Sequence, residues 1–481
     1  MSEVETYEQT RNIHPAGLWL LFALVLLLPQ FFGPKEPGYD LNPEQRQFPL
    51  LDNIGYATVF VADEPHYMTV ISSLINDGDL DLKNNYASTH QGGLDSGIRF
   101  RRNTLDHHSY YYLPEGYRWW EDLVEKDGTG NIAWFTNAEG DAIFFRYKLE
   151  YEHIAELPEY TWHPPYMAIL GYPFLRLFKD SPLLEPASIF LSYLVTLLAA
   201  AFTYWCFGRI TQSVLVRFTA VALIFLASPL WHYTRTLLTE PYIAAFLMCA
   251  YACFWRGESL YTRYLAAGVF IGLGMMMKSF VVLALLPMFY LALRTKQWQP
   301  FVALCVGPFL GGCAVLYWHY LQTGNPLITP TASATDPNAP GGYYLTLSVF
   351  LPTAYNMVFS TQYGLLTFCP ALIPAAYGWW QLLKKHGKQI GVALFMALPY
   401  FLFFAIFTGT PDGLNYGPRY MVAILPLLLT GIIGFLAYAK LSHSSTLAMW
   451  GLLAFSFLIS ASGAIASWYF RAWHPIEGVF G

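Results

Sequence analysis

Long apolar segments recur along this 481-residue chain and constrain its fold more than any other feature. A helix needs roughly 20 apolar residues to cross the hydrocarbon core of a bilayer. Segments close to that length cover residues 16–33, 184–207, 214–231, 240–255, 263–277, 279–293, 299–319, 362–383, 389–408, 418–438 and 446–468. Because 55% of the residues are hydrophobic and only 12% are charged, an ordinary soluble protein is excluded. The sequence predicts an all-α polytopic membrane protein with about 11 transmembrane helices.

Basic residues fall in alternate connections between these segments, and short loops rich in Lys and Arg stay on the cytoplasmic side. These residues are Arg209, Arg217, Arg256, Arg263, Arg294, Lys296, Lys384, Lys385, Lys388 and Lys440. Their placement predicts a cytoplasmic N-terminus over residues 1–15 and a first transmembrane helix over 16–33. An extracytoplasmic loop follows over 34–182, then a transmembrane helical domain over 183–470 and an extracytoplasmic tail over 471–481.

The first outer loop is the acidic part of the molecule. It carries more than two thirds of the 32 Asp and Glu residues, and a net charge of −5 argues against a nucleic-acid partner. Residues 64–77 have a helical apolar stripe that could lie along the membrane surface. Residues 90–158 mix aromatic residues with Gly and Asp and predict a small mixed insert. The prolines after His163 favour the start of a second juxtamembrane helix.

Asp63 and Glu64 stand near the start of this loop and are candidate catalytic residues. Either could be a solvated loop acid, or a charge that the helix dipole stabilises at a helix N-terminus. Alternatively, one carboxylate could act as the general base for an acceptor hydroxyl. The pair needs partners before it indicates a site.

Three cations are predicted on the same, outer side of the membrane: Lys278, Arg419 and Arg235. Lys278 could extend to the interface merely to reach water, and Arg235 could simply pair with Glu240. Ionisable residues at membrane depth are costly and indicate a functional site by default. Because Arg and Lys both recognise phosphate, we interpret the three cations as a phosphate-binding group.

Histidines near these residues give no metal signature. His163 could cap a helix, lie at the interface or contact a ligand, and no zinc spacing is present. A divalent cation held by Asp63 or Glu64 together with a phosphate stays open. The metal, if any, is therefore unknown from the sequence.

Several short motifs, taken in order, resemble the GT-C superfamily of membrane glycosyltransferases. The branch that contains protein O-mannosyltransferases and the lipid A aminoarabinose transferases, a family 39-like branch, is the most similar. The matching elements are Asp63-Glu64-x-x-Tyr67 with Leu74 and residues 76–82, His163-Pro164-Pro165-Tyr166, Glu240-Pro241, Lys278 after a glycine-rich helix end, and Arg419-Tyr420 with Leu425-Pro426. The resemblance covers roughly residues 60–440.

The resemblance implies a glycosyltransferase that takes a sugar from a polyprenyl-phosphate donor, with a metal requirement that varies among relatives. One base and one departing phosphate predict that the enzyme is inverting. Asp63 would be the base and Glu64 its helper, while Lys278, Arg419 and Arg235 would bind the donor phosphate. A second group of residues would contact substrate: Tyr67, His163, Glu240 and Tyr420. The acceptor would be a hydroxyl of a glycan, a lipid or a protein. We expect a bacterial cytoplasmic membrane with an outward-facing site.

The sequence departs from the family pattern at two places, and both leave the identity of the acceptor open. His163 stands where the lipid A enzymes commonly carry lysine, and the 90–158 insert is longer than expected. A transporter or flippase for a lipid-linked glycan is an alternative, as is a non-catalytic binder of such a glycan. Transporters place charges at mid-bilayer in broken helices of inverted repeats, whereas the charges here concentrate at the predicted outer interface.

Overall fold

The computed structural model describes most of the apolar part of the chain and selected parts of the first loop. The described residues are 15–31, 63–85, 110–113, 116–119, 123–126, 128, 135–136, 142–143, 148–161, 163–181, 183–257, 259–327, 345–387, 389–407 and 416–465. The predictions for residues 1–14 and 471–481, and for much of the loop over 34–182, lie outside these ranges.

α-Helices dominate the described residues. In chain order they are α1 (Pro15–Leu27), α2 (Glu64–Ser72), α3 (Tyr166–Leu175), α4 (Leu184–Phe207), α5 (Val214–Leu226), α6 (Leu230–Tyr233), α7 (Glu240–Arg256), α8 (Leu260–Met277), α9 (Leu286–Arg294), α10 (Trp298–Thr323), α11 (Phe350–Phe359), α12 (Leu365–Phe368), α13 (Leu372–His386), α14 (Val392–Ala405), α15 (Arg419–Val422), α16 (Leu425–Leu429), α17 (Gly431–Tyr438) and α18 (His443–Ile465). Helical structure therefore occurs in every segment where the apolar pattern predicts it.

Four of these helices, α4, α8, α10 and α18, are long and apolar enough to cross a bilayer on length and hydropathy alone. The other apolar helices are shorter, so the predicted number of about 11 spans stays a prediction. Large apolar side chains remain exposed on the long helices, such as Phe309 and Leu310 on α10 and Leu458 on α18. Exposed apolar surface of this extent is typical of a lipid-facing protein.

Several predicted spans are interrupted rather than continuous. The segment predicted over 418–438 divides into α15, α16 and α17, with Pro426 in the first turn of α16. Between α8 and a 3₁₀ helix over Ser279–Leu285, Lys278 has extended backbone angles and ends α8. Because irregular backbone at membrane depth is tolerated only inside protein or beside a cavity, these breaks mark positions where polar groups collect.

Two short antiparallel strand pairs lie within the predicted 90–158 insert. β1 (Tyr110–Leu113) pairs with β2 (Gly116–Trp119), and β3 (Phe135–Thr136) pairs with β4 (Ala142–Ile143). A 3₁₀ helix over Leu149–Glu156 follows. The described part of the insert thus contains both strand and helix.

Helix α2 differs from the expected surface helix. All nine of its residues are buried, including the polar side chains of Glu64, His66 and Thr69. The helix packs against α3 and α4, so protein rather than lipid headgroups covers its polar face. The apolar stripe predicted the helix correctly, but its polar residues face the protein interior because the helix is enclosed by its neighbours.

α8 and α10 approach each other through two Gly-x-x-x-Gly pairs, Gly268–Gly272 and Gly307–Gly311. A Cβ on Gly307 would lie 2.1 Å from the carbonyl oxygen of Gly268, and one on Gly272 would lie 2.2 Å from that of Gly307. Small residues at such positions let membrane helices pack closely. The contact fixes α8, and with it Lys278 at its end.

We expect Gly307→Ala to lower the thermal unfolding temperature in detergent, because the added methyl must separate α8 from α10. Overpacking of this kind costs about 1–3 kcal/mol. Gly312→Ala is the matched control on the same helix, since a Cβ there meets no atom within 4 Å. Equal unfolding temperatures for the two variants would contradict the close contact.

Candidate active site

Asp63 immediately precedes α2, and Pro65 lies in the first turn of that helix. Proline fits this position because its fixed φ suits a helix and its missing N–H would have no intrahelical partner. The backbone N–H of Tyr67 donates to the carbonyl oxygen of Asp63 at 3.1 Å, which closes the first turn. The helix therefore fixes Asp63 where its carboxylate meets the ends of later helices.

Four charged side chains from distant parts of the chain form one network. Arg419 donates from Nη2 to Oδ2 of Asp63, and from Nε to Oε1 of Glu240 at 3.1 Å. Lys278 donates from Nζ to the same Oε1 atom of Glu240 at 2.9 Å. The network contains two carboxylates and two cations, so its formal charges balance.

Exposure increases from one end of this network to the other. The Glu240 side chain is 0% exposed and that of Arg419 is 2% exposed, whereas Lys278 is 19% and Asp63 is 27% exposed. A substrate can therefore reach Asp63 and Lys278 while Glu240 and Arg419 support them from within. A buried ion pair of this kind carries a large desolvation cost, so good geometry is essential.

The carboxyl of Asp63 is held in its ionised form. Burial raises its pKa, but the positive charges of Arg419 and then His163 outweigh burial and hold the pKa well below the usual range. A carboxyl with a depressed pKa contributes stability above its unfolded pKa and loses it as the pH falls through the folded value. Asp63 is therefore a carboxylate at physiological pH, and a weak base while Arg419 contacts it.

Tyr420 forms an aromatic wall beside the two cations. The Nζ atom of Lys278 lies 4.7 Å from the centre of its ring, and Cζ of Arg419 lies 5.5 Å from it. The Tyr420 ring also stacks on the ring of Phe404, with a centroid distance of 4.7 Å and an interplanar angle of 11°. Cation–π contacts of this kind hold both cations close to the Tyr420 ring.

His163 and Tyr67 lie on the α2 side of the site. The ring of His163 stacks on His66 at a centroid distance of 5.0 Å and meets the edge of Tyr67 at 4.9 Å. Burial raises the pKa of Tyr67 well above its usual value, and the charges of Asp63 and Glu240 raise it further. Tyr67 is therefore a neutral phenol close to both carboxylates.

Glu64 and Arg235 also contact backbone groups outside this network. Oε1 of Glu64 accepts from the backbone N–H of Leu237 at 2.7 Å. Arg235 donates to the carbonyl oxygens of Ala464 and Gly463 at 3.2 and 3.4 Å, and interacts electrostatically with Glu64. The ion pair considered between Arg235 and Glu240 is replaced by the contacts of Glu240 with Lys278 and Arg419.

Tyr400, Phe404 and His66 belong to this region although sequence reasoning did not select them. Tyr400 is 1% exposed, and its hydroxyl has no hydrogen-bond partner within the described ranges, as is also true of Oε2 of Glu240. Aromatic residues on an apolar helix carry no signal that separates site from core. His66 could have been noticed because it stands one helical turn from Asp63.

A divalent cation does not fit this network well. The Asp63 and Glu240 carboxylates are both engaged by Arg419, so a metal between them would lie against a guanidinium. Across the described ranges, no group of three or more His, Cys, Asp and Glu side chains is placed to hold a metal ion. We therefore derive no catalytic step through a metal.

Residues 187–328 match the family model described as dolichyl-phosphate-mannose-protein mannosyltransferase. The matched segment is under a third of the chain and includes Glu240, Lys278 and Arg235 but neither Asp63 nor Arg419. The predicted resemblance to the protein O-mannosyltransferase branch is confirmed over this segment, and glycosyltransferase is the enzyme class that the family description names. No curated protein matches the chain.

Among solved structures, the chain is similar to ArnT from Cupriavidus metallidurans in the apo state, with 15% identity and a TM-score of 0.47 over 94% of this chain and 65% of that one. It is also similar to the archaeal oligosaccharyltransferase AglB from Archaeoglobus fulgidus in complex with an inhibitory peptide and a dolichol-phosphate. There the identity is 12% and the TM-score 0.48, over 95% of this chain and 57% of that one. The chain thus spans less than two thirds of either protein.

We expect Glu240→Gln to destabilise the protein strongly, because Lys278 and Arg419 would lose the carboxylate they share. Removing one partner of a buried ion pair costs about 3–5 kcal/mol. Thermal unfolding in detergent measures the effect. Glu152→Gln makes the same change of charge at an exposed position and should leave the unfolding temperature unchanged; a similar loss in both variants would contradict the role of the network.

Proposed function

We propose that the protein is an inverting glycosyltransferase of the GT-C type. It moves a sugar from a polyprenyl-phosphate donor to an acceptor hydroxyl at the outer face of a bacterial cytoplasmic membrane. The observation that carries the proposal is the buried network in which Arg419 contacts both Asp63 and Glu240 while Lys278 contacts Glu240. It combines a carboxylate that a substrate can reach with cations suited to a phosphate.

Lys278 and Arg419 bind the donor phosphate in this proposal. Lys278 ends the apolar helix α8 and is partly exposed, so a phosphate attached to an isoprenoid chain between the helices can meet it. Preorganised cations aimed at charge that develops in a water-poor site are a large catalytic contribution. The matching family is described by a dolichyl-phosphate-linked sugar, which supports this donor class.

Asp63 accepts the proton of the acceptor. The acceptor oxygen attacks the anomeric carbon of the sugar, and the bond from that carbon to the phosphate oxygen breaks with its electron pair passing to the phosphate. The hydroxyl proton moves to Asp63. A single displacement from the face opposite the departing phosphate inverts the anomeric configuration.

The charges of this step balance at the network. The phosphodiester donor carries one negative charge and becomes a phosphate monoester with close to two at neutral pH. Over the same step, Asp63 changes from a carboxylate to a neutral acid. Negative charge is therefore lost at Asp63 and gained at the phosphate. The guanidinium of Arg419 can follow it by exchanging its contact with Asp63 for one with the phosphate.

The same exchange activates the base. While Arg419 contacts Asp63, the pKa of that carboxyl is too low for effective proton transfer. A phosphate that competes for Arg419 weakens this contact and raises the pKa of Asp63 towards the range in which a general base works well. Donor binding thus converts Asp63 from an ion-pair partner into a base.

The remaining predicted residues support this arrangement. Glu64 fixes α2 through the backbone of Leu237, which orients Asp63. Arg235 holds the turn between α6 and α7 against the end of α18 and contributes positive potential at longer range. We assign the pocket for sugar and acceptor to Tyr67 and His163, with Tyr420 beside the phosphate. The acceptor is a hydroxyl of a glycan, a lipid or a protein.

We expect Asp63→Asn to lower sugar transfer by about 10²-fold or more, because a general base of this kind contributes about 10²–10⁴ in rate. Affinity for undecaprenyl phosphate should stay equal or increase, because the neutral asparagine side chain no longer competes with the phosphate for Arg419. Turnover and lipid affinity are measured separately on purified protein. Turnover near that of the wild type would remove Asp63 from the role of base.

We expect Lys278→Ala to weaken binding of undecaprenyl phosphate by about tenfold or more, the value of one charge-assisted contact. Arg419→Lys should also weaken it, because a single ammonium cannot contact Asp63 and Glu240 as the guanidinium does. Lys179→Ala, at an exposed position of the first loop, is the control. Affinities equal to the wild type in the first two variants would refute the phosphate assignment.

The donor can be identified by mass spectrometry of lipid that co-purifies with the protein. We expect a polyprenyl phosphate that carries a sugar in Asp63→Asn, where transfer is blocked, and the bare polyprenyl phosphate in the wild type. Lipids without a polyprenyl phosphate in either preparation would contradict the proposed donor class. The same glycan-carrying lipid in the wild-type and Asp63→Asn preparations would favour a flippase.

A further inference from the structure

Four arginines cluster at the opposite end of α7 from Glu240. Arg209 follows the end of α4, Arg256 is the last residue of α7, Arg217 lies in the first turns of α5, and Arg263 lies in the first turns of α8. A Cβ on Gly208 would lie 2.2 Å from Nη1 of Arg256 and 3.2 Å from Nη1 of Arg217. A Cβ on Gly257, which follows Arg256, would lie 2.4 Å from Cβ of Arg263, so the four arginines lie close to the C-terminal ends of α4 and α7.

Two of these arginines have a clear structural role. Arg209 donates from Nη1 to the carbonyl oxygen of Trp255 at 2.5 Å, and Arg256 donates to that of Trp205 at 2.8 Å. Each residue thus caps the C-terminal turn of the other's helix, where cations are favoured by the helix dipole. Helix capping accounts for the positions of this pair.

The other two arginines do not cap a helix but stack on aromatic rings: Cζ of Arg217 lies 4.5 Å from the ring centre of Tyr204, and Cζ of Arg263 lies 4.7 Å from that of Phe254. Arg217 and Arg263 each stand four residues after a serine N-cap, Ser213 and Ser259, whose side chains accept from the backbone N–H three residues later. The N-terminal end of a helix carries partial positive charge and favours anions. Two cations near helix N-termini therefore add to the positive potential of this area.

Two polar atoms in this area lack partners. Nε of Arg217 and Nε of Arg263 are both buried and have no hydrogen-bond partner among the described residues. Buried donors are normally satisfied, and those that are not indicate a ligand or water that completes them. Both atoms are donors, so a group that completes them would be an acceptor.

The sequence offers little negative charge to balance this cluster. Between Arg209 and Arg263 the only acidic residues are Glu240, at the far end of α7, and Glu258. Even with Glu258 counted against the four arginines, three positive charges remain. The charge of the cluster, like the unpartnered donors, therefore favours an anionic ligand.

We propose that this arginine cluster, defined by Arg209, Arg217, Arg256 and Arg263, binds the headgroup phosphate of an anionic phospholipid. The surrounding surface is apolar, because Trp205, Leu215 and Tyr261 are 40%, 55% and 51% exposed beside the cluster. Those side chains offer contacts for acyl chains next to the bound phosphate. Guanidinium groups and helix N-termini together recognise phosphate.

The position of the cluster separates it from the candidate active site. Glu240 begins α7 and Arg256 ends it, and a helix of that length spans roughly 24 Å at 1.5 Å per residue. The cluster therefore belongs to the other membrane face, which the charge pattern predicts to be cytoplasmic. Anionic lipids of that leaflet attract clustered basic residues.

Native mass spectrometry of the purified protein in detergent tests the proposal, with phosphatidylglycerol and phosphatidylcholine added in equal amounts. We expect phosphatidylglycerol to bind preferentially to the wild type. In the double variant R217Q/R263Q its binding should fall by about tenfold, because each lost cation weakens attraction to the anionic headgroup. Phosphatidylcholine binding should not change.

The control is K384Q/K385Q, which removes two charges from exposed lysines at the end of α13, each of which lies over an aromatic ring. It should retain phosphatidylglycerol as the wild type does. An equal loss in both double variants would overturn the proposal in favour of a general basic belt. Equal binding of the two lipids by the wild type would also overturn it.

Two further arms complete the test. Inorganic phosphate should not displace phosphatidylglycerol from the wild type, and full displacement would overturn a lipid headgroup in favour of a free anion. If R217Q/R263Q does not fold, R217K/R263K retains the charge but lacks the planar fork and the Nε donors. Lipid binding by that variant should still weaken, and unchanged binding would refute the role of the unpartnered donors.

Discussion

A single buried guanidinium connects the parts of the candidate site. Arg419 is 2% exposed and contacts Asp63, from the first loop, and Glu240, from the start of α7. Burying charged groups carries a large desolvation cost, so a buried ion pair is stable only when its geometry is good and its hydrogen bonds are made. The chain breaks around α15 and Lys278 provide that geometry, because a continuous helix would leave less freedom to direct several charged side chains at one point.

This arrangement also explains how a strongly acidic carboxyl can serve as a base in the proposed reaction. Asp63 is the most exposed member of the network, yet positive charge holds its pKa far below that of a useful base. A second anion that competes for Arg419 removes this restraint. The free protein would then keep its base inactive until a donor phosphate arrives.

α7 links the two charged ends of the molecule. Its first residue, Glu240, contacts two cations, and its last residue, Arg256, lies beside further arginines. The first end is electrically balanced by the chain itself, whereas the proposed phospholipid would balance the second. A helix fixed at both ends by phosphate chemistry would hold the candidate active site at a constant depth in the membrane.

The sequence by itself determined the helical class, the positions of the apolar helices and the charged residues of the candidate site, because apolar length and isolated charges are local signals. It also identified the family resemblance that the matching model confirms over residues 187–328. Only the tertiary structure decided which charges meet. Glu240 joined Lys278 and Arg419 rather than Arg235, and α2 became enclosed, because long-range packing brings together residues whose separation in the chain carries no information about contact.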